Sequence, residues 1–133
     1  MMPITALYAA LLAPLFIFLS IRVIGLRRSA RVALGPGEDR RLLRAMRVHA
    51  NFAEYAPFAL LLLALAESLA LPVWLLHGAG AALVLGRAVH AYGVSQEPEQ
   101  INIRVTGMVL TFTVIGTLAA SCLIGALTRI AVV

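Results

Sequence analysis

The sequence Arg44-Ala-Met-Arg-Val-His-Ala-Asn-Phe-Ala-Glu-Tyr-Ala-Pro57 runs from a charged segment directly into an apolar one. At 100° per residue its polar side chains fall within an arc of roughly 100°, so they form one stripe on a helix face. The stripe consists of Arg44, Arg47, Asn51, Glu54 and Tyr55. His49 points to the opposite face. A carboxylate or amide inside a hydrophobic span costs about 2 to 3 kcal/mol unless it faces protein, water or ligand, so the stripe is a candidate site.

The composition around this stretch is that of an integral membrane protein. Of the 133 residues, 62% are hydrophobic and 13% are charged, and the mean hydropathy is +0.95. These values exclude an ordinary soluble domain. Apolar runs at 4–21, 52–66, 69–85 and 105–127 predict an all-α, four-transmembrane-helix bundle that forms one domain over residues 1–133. We expect the helices to cover about 4–26, 40–70, 73–95 and 103–130.

The basic residues are all arginine, and seven of the eleven lie between Arg27 and Arg47. Under the positive-inside rule this first loop faces the cytoplasm, which places both termini outside and the 95–102 loop inside. We therefore expect a protein of the bacterial inner (cytoplasmic) membrane. The anionic headgroups of the lipid bilayer account for the net charge of +5, so no nucleic-acid partner is needed.

Two other residue types bear on the chemistry of the chain. The single cysteine, Cys122, lies in the last apolar run, which excludes an internal disulfide and indicates a packing role. His77 has no second ligand at helical spacing, so we read it as an interfacial residue and predict no metal site.

Two details are expected of the second helix. Glu38 or Asp39 should cap its N-terminus near Arg40, because an acidic side chain complements the positive end of the helix dipole. Glu54 should pair with Arg87 or with a ligand ammonium; Arg87 is a candidate because at 1.5 Å per residue both lie very roughly 13 Å from the inner boundary on antiparallel helices. An ion pair that only fixes helix packing is the alternative to a ligand site.

The inner halves of helices 2, 3 and 4 are expected to present their polar side chains to one pocket. Its predicted lining is Arg44, Arg47, Asn51, Glu54, Tyr55, His90 and Arg104. Arginine binds carboxylates through two parallel hydrogen bonds, and a glutamate can receive an ammonium group. The pocket therefore suits a ligand with several carboxylates and an amine, and the apolar helix faces alongside suit a lipophilic small molecule.

At these residues the sequence resembles the MAPEG family, the membrane-associated proteins in eicosanoid and glutathione metabolism. The core of the resemblance is Arg47-x-x-x-Asn51-x-x-Glu54-Tyr55-x-Pro57. Supporting matches are Leu26-Arg27-Arg28-x-x-Arg31-Val32, Arg87-x-x-His90-x-x-Gly93 and Arg104. The resemblance covers essentially the whole chain. His90 and Val94 stand where leukotriene C4 synthase, a member of the family, has two tyrosines.

The resemblance implies a homotrimer that binds glutathione as a co-substrate near the cytoplasmic face, between subunits. Arg47, Asn51, Glu54, Tyr55 and Arg104 match glutathione contacts of the family, whereas Arg27 and His49 match positions that the adjacent subunit contributes. The resemblance also implies that Arg104 activates the thiol and that Arg28 is a second catalytic arginine.

Three functions are weighed on these grounds. The first is a glutathione transferase or peroxidase that acts on lipophilic electrophiles. The second is a non-catalytic membrane protein that keeps the MAPEG fold. The third is a small multidrug exporter, which would use an intramembrane glutamate as its cation site. The arginines around Glu54 would repel a cationic drug, so the exporter fits least well.

Overall fold

The computed structural model describes residues 1–131, which form four helices and no strand. The helices are α1 (Pro3–Ala30), α2 (Arg40–Ser68), α3 (Val73–Ser95) and α4 (Ile101–Ile130). Each is long and apolar enough to cross a membrane. The prediction of an all-α bundle of four transmembrane helices is therefore confirmed.

The helix ends next to the long α1–α2 loop follow from local chemistry. Asp39 is the N-cap of α2, and its carboxylate accepts hydrogen bonds from the backbone N–H groups of Arg41 at 2.8 Å and Leu42 at 3.2 Å. Helix α1 continues to Ala30, four residues beyond the predicted end at 26. Arg27 and Arg28 in its last turn complement the negative end of the helix dipole, which favours the extra turn.

The two ends of the bundle differ in how their polar groups are satisfied. We call the end with the short α2–α3 connection (69–72) the turn end, and the end with residues 31–39 and 96–100 the loop end. At the turn end the Glu67 carboxylate accepts the backbone N–H groups of Ile4 at 2.9 Å and Thr5 at 2.8 Å. The Tyr8 hydroxyl donates to the carbonyl of His77 at 3.0 Å. These bonds attach the start of α1 to α2 and α3, so the turn end is closed by its own side chains.

Helices α3 and α4 approach closely because two glycines face the opposite backbone. A Cβ atom on Gly107 would lie 2.5 Å from the backbone nitrogen of His90, and one on Gly93 would lie 2.6 Å from the backbone nitrogen of Arg104. Neither backbone can move aside without disturbing its own helix. The α3–α4 distance at the loop end is therefore set by these two glycines.

We predict that Gly107→Ala destabilises the protein by about 1 to 3 kcal/mol, the usual cost of overpacking a tight contact. Gly116→Ala, on the same helix, is the matched control, because a Cβ there meets nothing within 4 Å. The control should be neutral or slightly stabilising, since alanine favours helix more than glycine does. Thermal unfolding in detergent compares the two variants. Equal melting temperatures would contradict the close approach.

Candidate functional site

A polar cavity of about 390 Å³ opens at the loop end between α2, α3, α4 and the α3–α4 loop. Its volume falls within the range of about 300 to 1,000 Å³ that is typical of small-molecule sites. The lining consists of Arg40, Leu43, Arg44, Arg47, Ala50, Asn51, Glu54, His90, Val94, Glu99 and Arg104. Six of the seven side chains predicted for one pocket are thus brought together, all except Tyr55.

The charge of this cavity is strongly asymmetric. Four guanidinium groups face two carboxylates, with Arg40, Arg44, Arg47 and Arg104 against Glu54 and Glu99. Arg40, Arg44 and Arg47 are on α2, and their spacings of four and three residues place them on one helix face. An excess of guanidinium groups in a confined space favours an anionic ligand.

Arg104 lies in the first turn of α4, opposite the end of α3. Its Nη1 donates to the Glu99 carboxylate at 2.8 Å. Its backbone carbonyl is 3.3 Å from the Nδ1 atom of His90, and the close approach at Gly93 positions its backbone. The backbone of Arg104 is therefore held in place, and its guanidinium group has a carboxylate partner at the cavity wall.

Arg87 is the buried cation of the bundle, but its partner differs from the prediction. Only 1% of Arg87 is exposed, and its Nη2 donates to the Asn51 side-chain oxygen at 2.6 Å. Its Nη1 lies 3.4 Å from the Thr111 hydroxyl. Among residues 1–131 the ion pairs are Arg44–Glu97 and Arg104–Glu99, so the predicted pair of Glu54 with Arg87 is wrong. The physical reason is that Asn51 turns toward the core, whereas Glu54 is exposed to the cavity.

Four residues predicted for the site lie outside this cavity within one protomer. Tyr55 packs edge-on against Phe112, with ring centroids 5.4 Å apart. His49 faces α1, as the helical phase predicted, and its Nε2 is 3.0 Å from the Ser20 hydroxyl.

The other two are on α1. Arg27 donates to the carbonyls of Ala33 and Gly35, both at 3.1 Å, and so holds the α1–α2 loop. Arg28 is exposed on the same helix end.

Two charged lining residues were missed by sequence reasoning. Arg40 precedes Arg44 by four residues, so the helical phase already placed it on the stripe. Glu99 belongs to the α3–α4 loop and carried no periodic signal, because a loop has no helical phase. Only the folded chain brings it to Arg104.

The bundle and its arginine-lined cavity define an integral membrane protein of four helices with a polar site at one end. The sequence profile of the MAPEG family matches residues 5–124. The chain therefore belongs to the MAPEG family. It is 40% identical over 90 residues to the inner membrane protein YecN of Escherichia coli strain K12, a match that covers 68% of this chain and 69% of YecN. YecN of Escherichia coli O6:H1 strain CFT073 matches to the same extent. Together with the four membrane-spanning helices, these matches indicate an integral inner membrane protein.

We predict that Asn51→Ala destabilises the protein by about 1.5 to 3 kcal/mol, because it removes the shortest hydrogen bond of a buried guanidinium. Asn51→Asp is the matched control, since it keeps an oxygen acceptor beside Arg87. Chemical unfolding in mixed micelles measures both variants. If Asn51→Ala unfolds at the wild-type denaturant concentration, the bond to Arg87 does not support the bundle.

Proposed function

We propose that this protein binds glutathione in the polar cavity and uses it as a transferase or peroxidase on lipophilic electrophiles. The observation that carries the proposal is the cavity itself, in which four guanidinium groups face two carboxylates. Asn51, Glu54, Arg47 and Arg104, which match glutathione contacts of the family, all line it.

The charge of the cavity complements glutathione as a thiolate. That ligand carries two carboxylates, one ammonium and one thiolate, and so has an excess of negative charge that matches the excess of guanidinium groups. Arginine pairs with carboxylates through two parallel hydrogen bonds. The exposed Glu54 carboxylate has no ion-pair partner among residues 1–131, which leaves it available to the ligand ammonium.

Arg104 is the proposed activator of the thiol. A free thiol has a pKa of about 8.5 and is mostly protonated at neutral pH, and an adjacent cation favours the thiolate. Lowering the pKa by about two units requires under 3 kcal/mol at 1.36 kcal/mol per unit. Glu99, bonded to Arg104 at 2.8 Å, opposes this effect, because its charge has the same sign as the thiolate.

The lipophilic substrate is proposed to arrive from the bilayer along α4. Below Arg104 this helix exposes the apolar side chains of Val105, Val109 and Phe112, each more than half exposed. An electrophile held against this face would be near the Arg104 end of the cavity. By excluding water, the bound electrophile would lower the local dielectric constant and so strengthen the interaction of Arg104 with the thiolate.

A homotrimer is proposed from the residues that lie outside the cavity. The family resemblance assigns Arg27 and His49 to the adjacent subunit, and Arg28 to a catalytic role. In one protomer all three are away from the polar cavity. In a site shared between subunits, such residues of one protomer would contact the part of the ligand that the other protomer leaves uncovered.

A non-catalytic MAPEG protein remains the second candidate, and the Arg104–Glu99 bond favours it. An arginine already neutralised by a carboxylate stabilises a thiolate less. Conjugation of glutathione to a lipophilic aryl halide by the purified protein distinguishes the two functions. The exporter is disfavoured, because four guanidinium groups around Glu54 repel a cationic substrate.

We propose that the loop end faces the cytoplasm and both termini face outside, from the arginines between Arg27 and Arg47. Single-cysteine variants test this orientation in a Cys122→Ser background. Ser68→Cys at the turn end should react with a membrane-impermeant thiol reagent added to intact cells, and Leu34→Cys at the loop end should not. The reverse pattern would overturn the orientation.

Glutathione binding is tested by titration calorimetry of the detergent-solubilised protein. We expect Arg47→Gln to weaken binding about tenfold or more, since a hydrogen bond to a charged group contributes about 1.5 to 3 kcal/mol. Arg129→Gln, at the turn end, removes the same charge away from the cavity and should bind normally. Native mass spectrometry of the same sample gives the oligomeric state. A stable monomer with full affinity would contradict the shared site.

We predict opposite effects at the Arg104–Glu99 pair. Arg104→Ala should raise the pKa of the bound thiol and lower turnover more than affinity, because the interaction grows as charge develops on sulfur. Glu99→Gln should lower that pKa, because it removes a competing carboxylate. Thiolate absorbance of the bound complex against pH measures both variants. Identical titration midpoints in wild type and Arg104→Ala would rule out Arg104 as the activator.

A further inference from the structure

A second polar cavity, of about 310 Å³, lies at the loop end on the α1 side of Arg44. We call it the α1 groove, and its lining is Arg22, Leu26, Arg41, Arg44, Ser95 and Glu97. Three of these residues carry a guanidinium group and one carries a carboxylate. The groove has no role in the function proposed above, with which it shares only Arg44.

Two of the guanidinium groups are held by the end of α3. Nη1 of Arg22 donates to the Ser95 hydroxyl at 2.5 Å. Nη1 of Arg44 donates to the Gln96 carbonyl at 2.5 Å, and its Nε is 3.5 Å from the Glu97 carboxylate. These bonds draw arginines from α1 and α2 onto consecutive residues of one segment. The acceptor of Arg22 is a neutral hydroxyl, and the one carboxylate of the groove, Glu97, pairs with Arg44, so the lining keeps an excess of positive charge.

Arg41 strengthens the case for an anionic occupant. It lies in the first turn of α2, where the helix dipole is positive and a cation is unfavourable. That turn contains no acidic residue, and the preceding N-cap residue, Asp39, accepts the backbone N–H groups of Arg41 and Leu42 on one carboxylate oxygen. An anion between Arg41 and Arg22 would offset both the dipole and the mutual repulsion of the guanidinium groups.

The surroundings of the groove indicate an anion attached to an apolar body. Leu26 lines the groove together with the charged residues. On the same side of α1, Phe18 and Leu11 precede Arg22 by four and eleven residues and expose 60% and 52% of their surface. An arginine that follows exposed apolar residues along one helix face, near the helix end, belongs at the boundary between headgroups and acyl chains. A soluble anion would leave these apolar side chains uncovered.

We propose that the α1 groove binds the headgroup phosphate of an anionic phospholipid, with the acyl chains along the exposed face of α1. The phosphate accepts hydrogen bonds from Arg22 and Arg41, and Arg44 forms the inner wall. Because Arg44 lines both cavities, the bound lipid also reinforces the orientation of one wall of the polar cavity.

Native mass spectrometry of the full-length protein tests the proposal, by titration with phosphatidylglycerol or phosphatidylcholine of matched acyl chains. The wild type should bind one phosphatidylglycerol per protomer in preference to phosphatidylcholine. Arg22→Gln with Arg41→Gln should weaken this binding on the order of tenfold to thirtyfold. Arg31→Gln, which removes an exposed charge from the same loop end but outside the groove, is the matched control and should bind as the wild type does.

Three outcomes would overturn the proposal. The first is equal retention of both lipids, which would show that charge is not recognised. The second is an equal loss in Arg31→Gln and in the double variant, which would indicate diffuse attraction only. The third is displacement of the lipid by soluble glycerol phosphate at the same concentration, which would make the occupant a free phosphate. Arg41→Gln alone keeps the test valid if the double variant does not fold, because Arg41 is exposed and its loss should still weaken binding.

Discussion

The buried guanidinium of Arg87 joins the three helices that surround the polar cavity. It projects from α3 and bonds to Asn51 of α2 at 2.6 Å and to Thr111 of α4 at 3.4 Å. Its charge has no carboxylate partner among residues 1–131, so these neutral oxygens and the ring of Phe52, 6.0 Å away, stabilise it. Losing either bond would leave a further desolvated donor beside Nε, which has no hydrogen-bond partner among the described residues. Because Asn51 also lines the polar cavity, the bond to Arg87 orients one residue of the cavity wall.

The loop end carries its positive charge on two adjacent surfaces that share Arg44. On one side, the proposed ligand of the cavity between α2, α3 and α4 is a soluble anion. On the other side, the proposed ligand of the α1 groove is a lipid headgroup. The turn end has a different character, because Glu67 and Tyr8 satisfy their partners within the bundle. The protein thus has one open, cationic end and one end that is closed by internal hydrogen bonds. This difference suits a site at one membrane face.

The proposed thiol chemistry depends on a balance between one arginine and one glutamate. Arg104 is placed by the Gly93 contact, and Glu99 reaches it from the preceding loop. The strength of a cation toward a bound anion falls when a carboxylate is already paired with it. Glu99 thus sets how far Arg104 can stabilise a developing negative charge. The loop between α3 and α4 therefore contributes one charged residue to the wall of the cavity.

The sequence alone determined the membrane class, the four helices and the α2 stripe, because hydropathy and helical phase are local properties of the chain. It also determined that His49 faces away from Arg47 and that an acidic residue, Glu38 or Asp39, caps α2, and the structure shows that the cap is Asp39. Only the tertiary structure decided which stripe residue meets Arg87. Asn51 and Glu54 differ by one helical turn, and the choice between them depends on how α2 rotates against α3. Glu99 joined the site for the same reason, since loop residues acquire neighbours only when the helices they connect have packed.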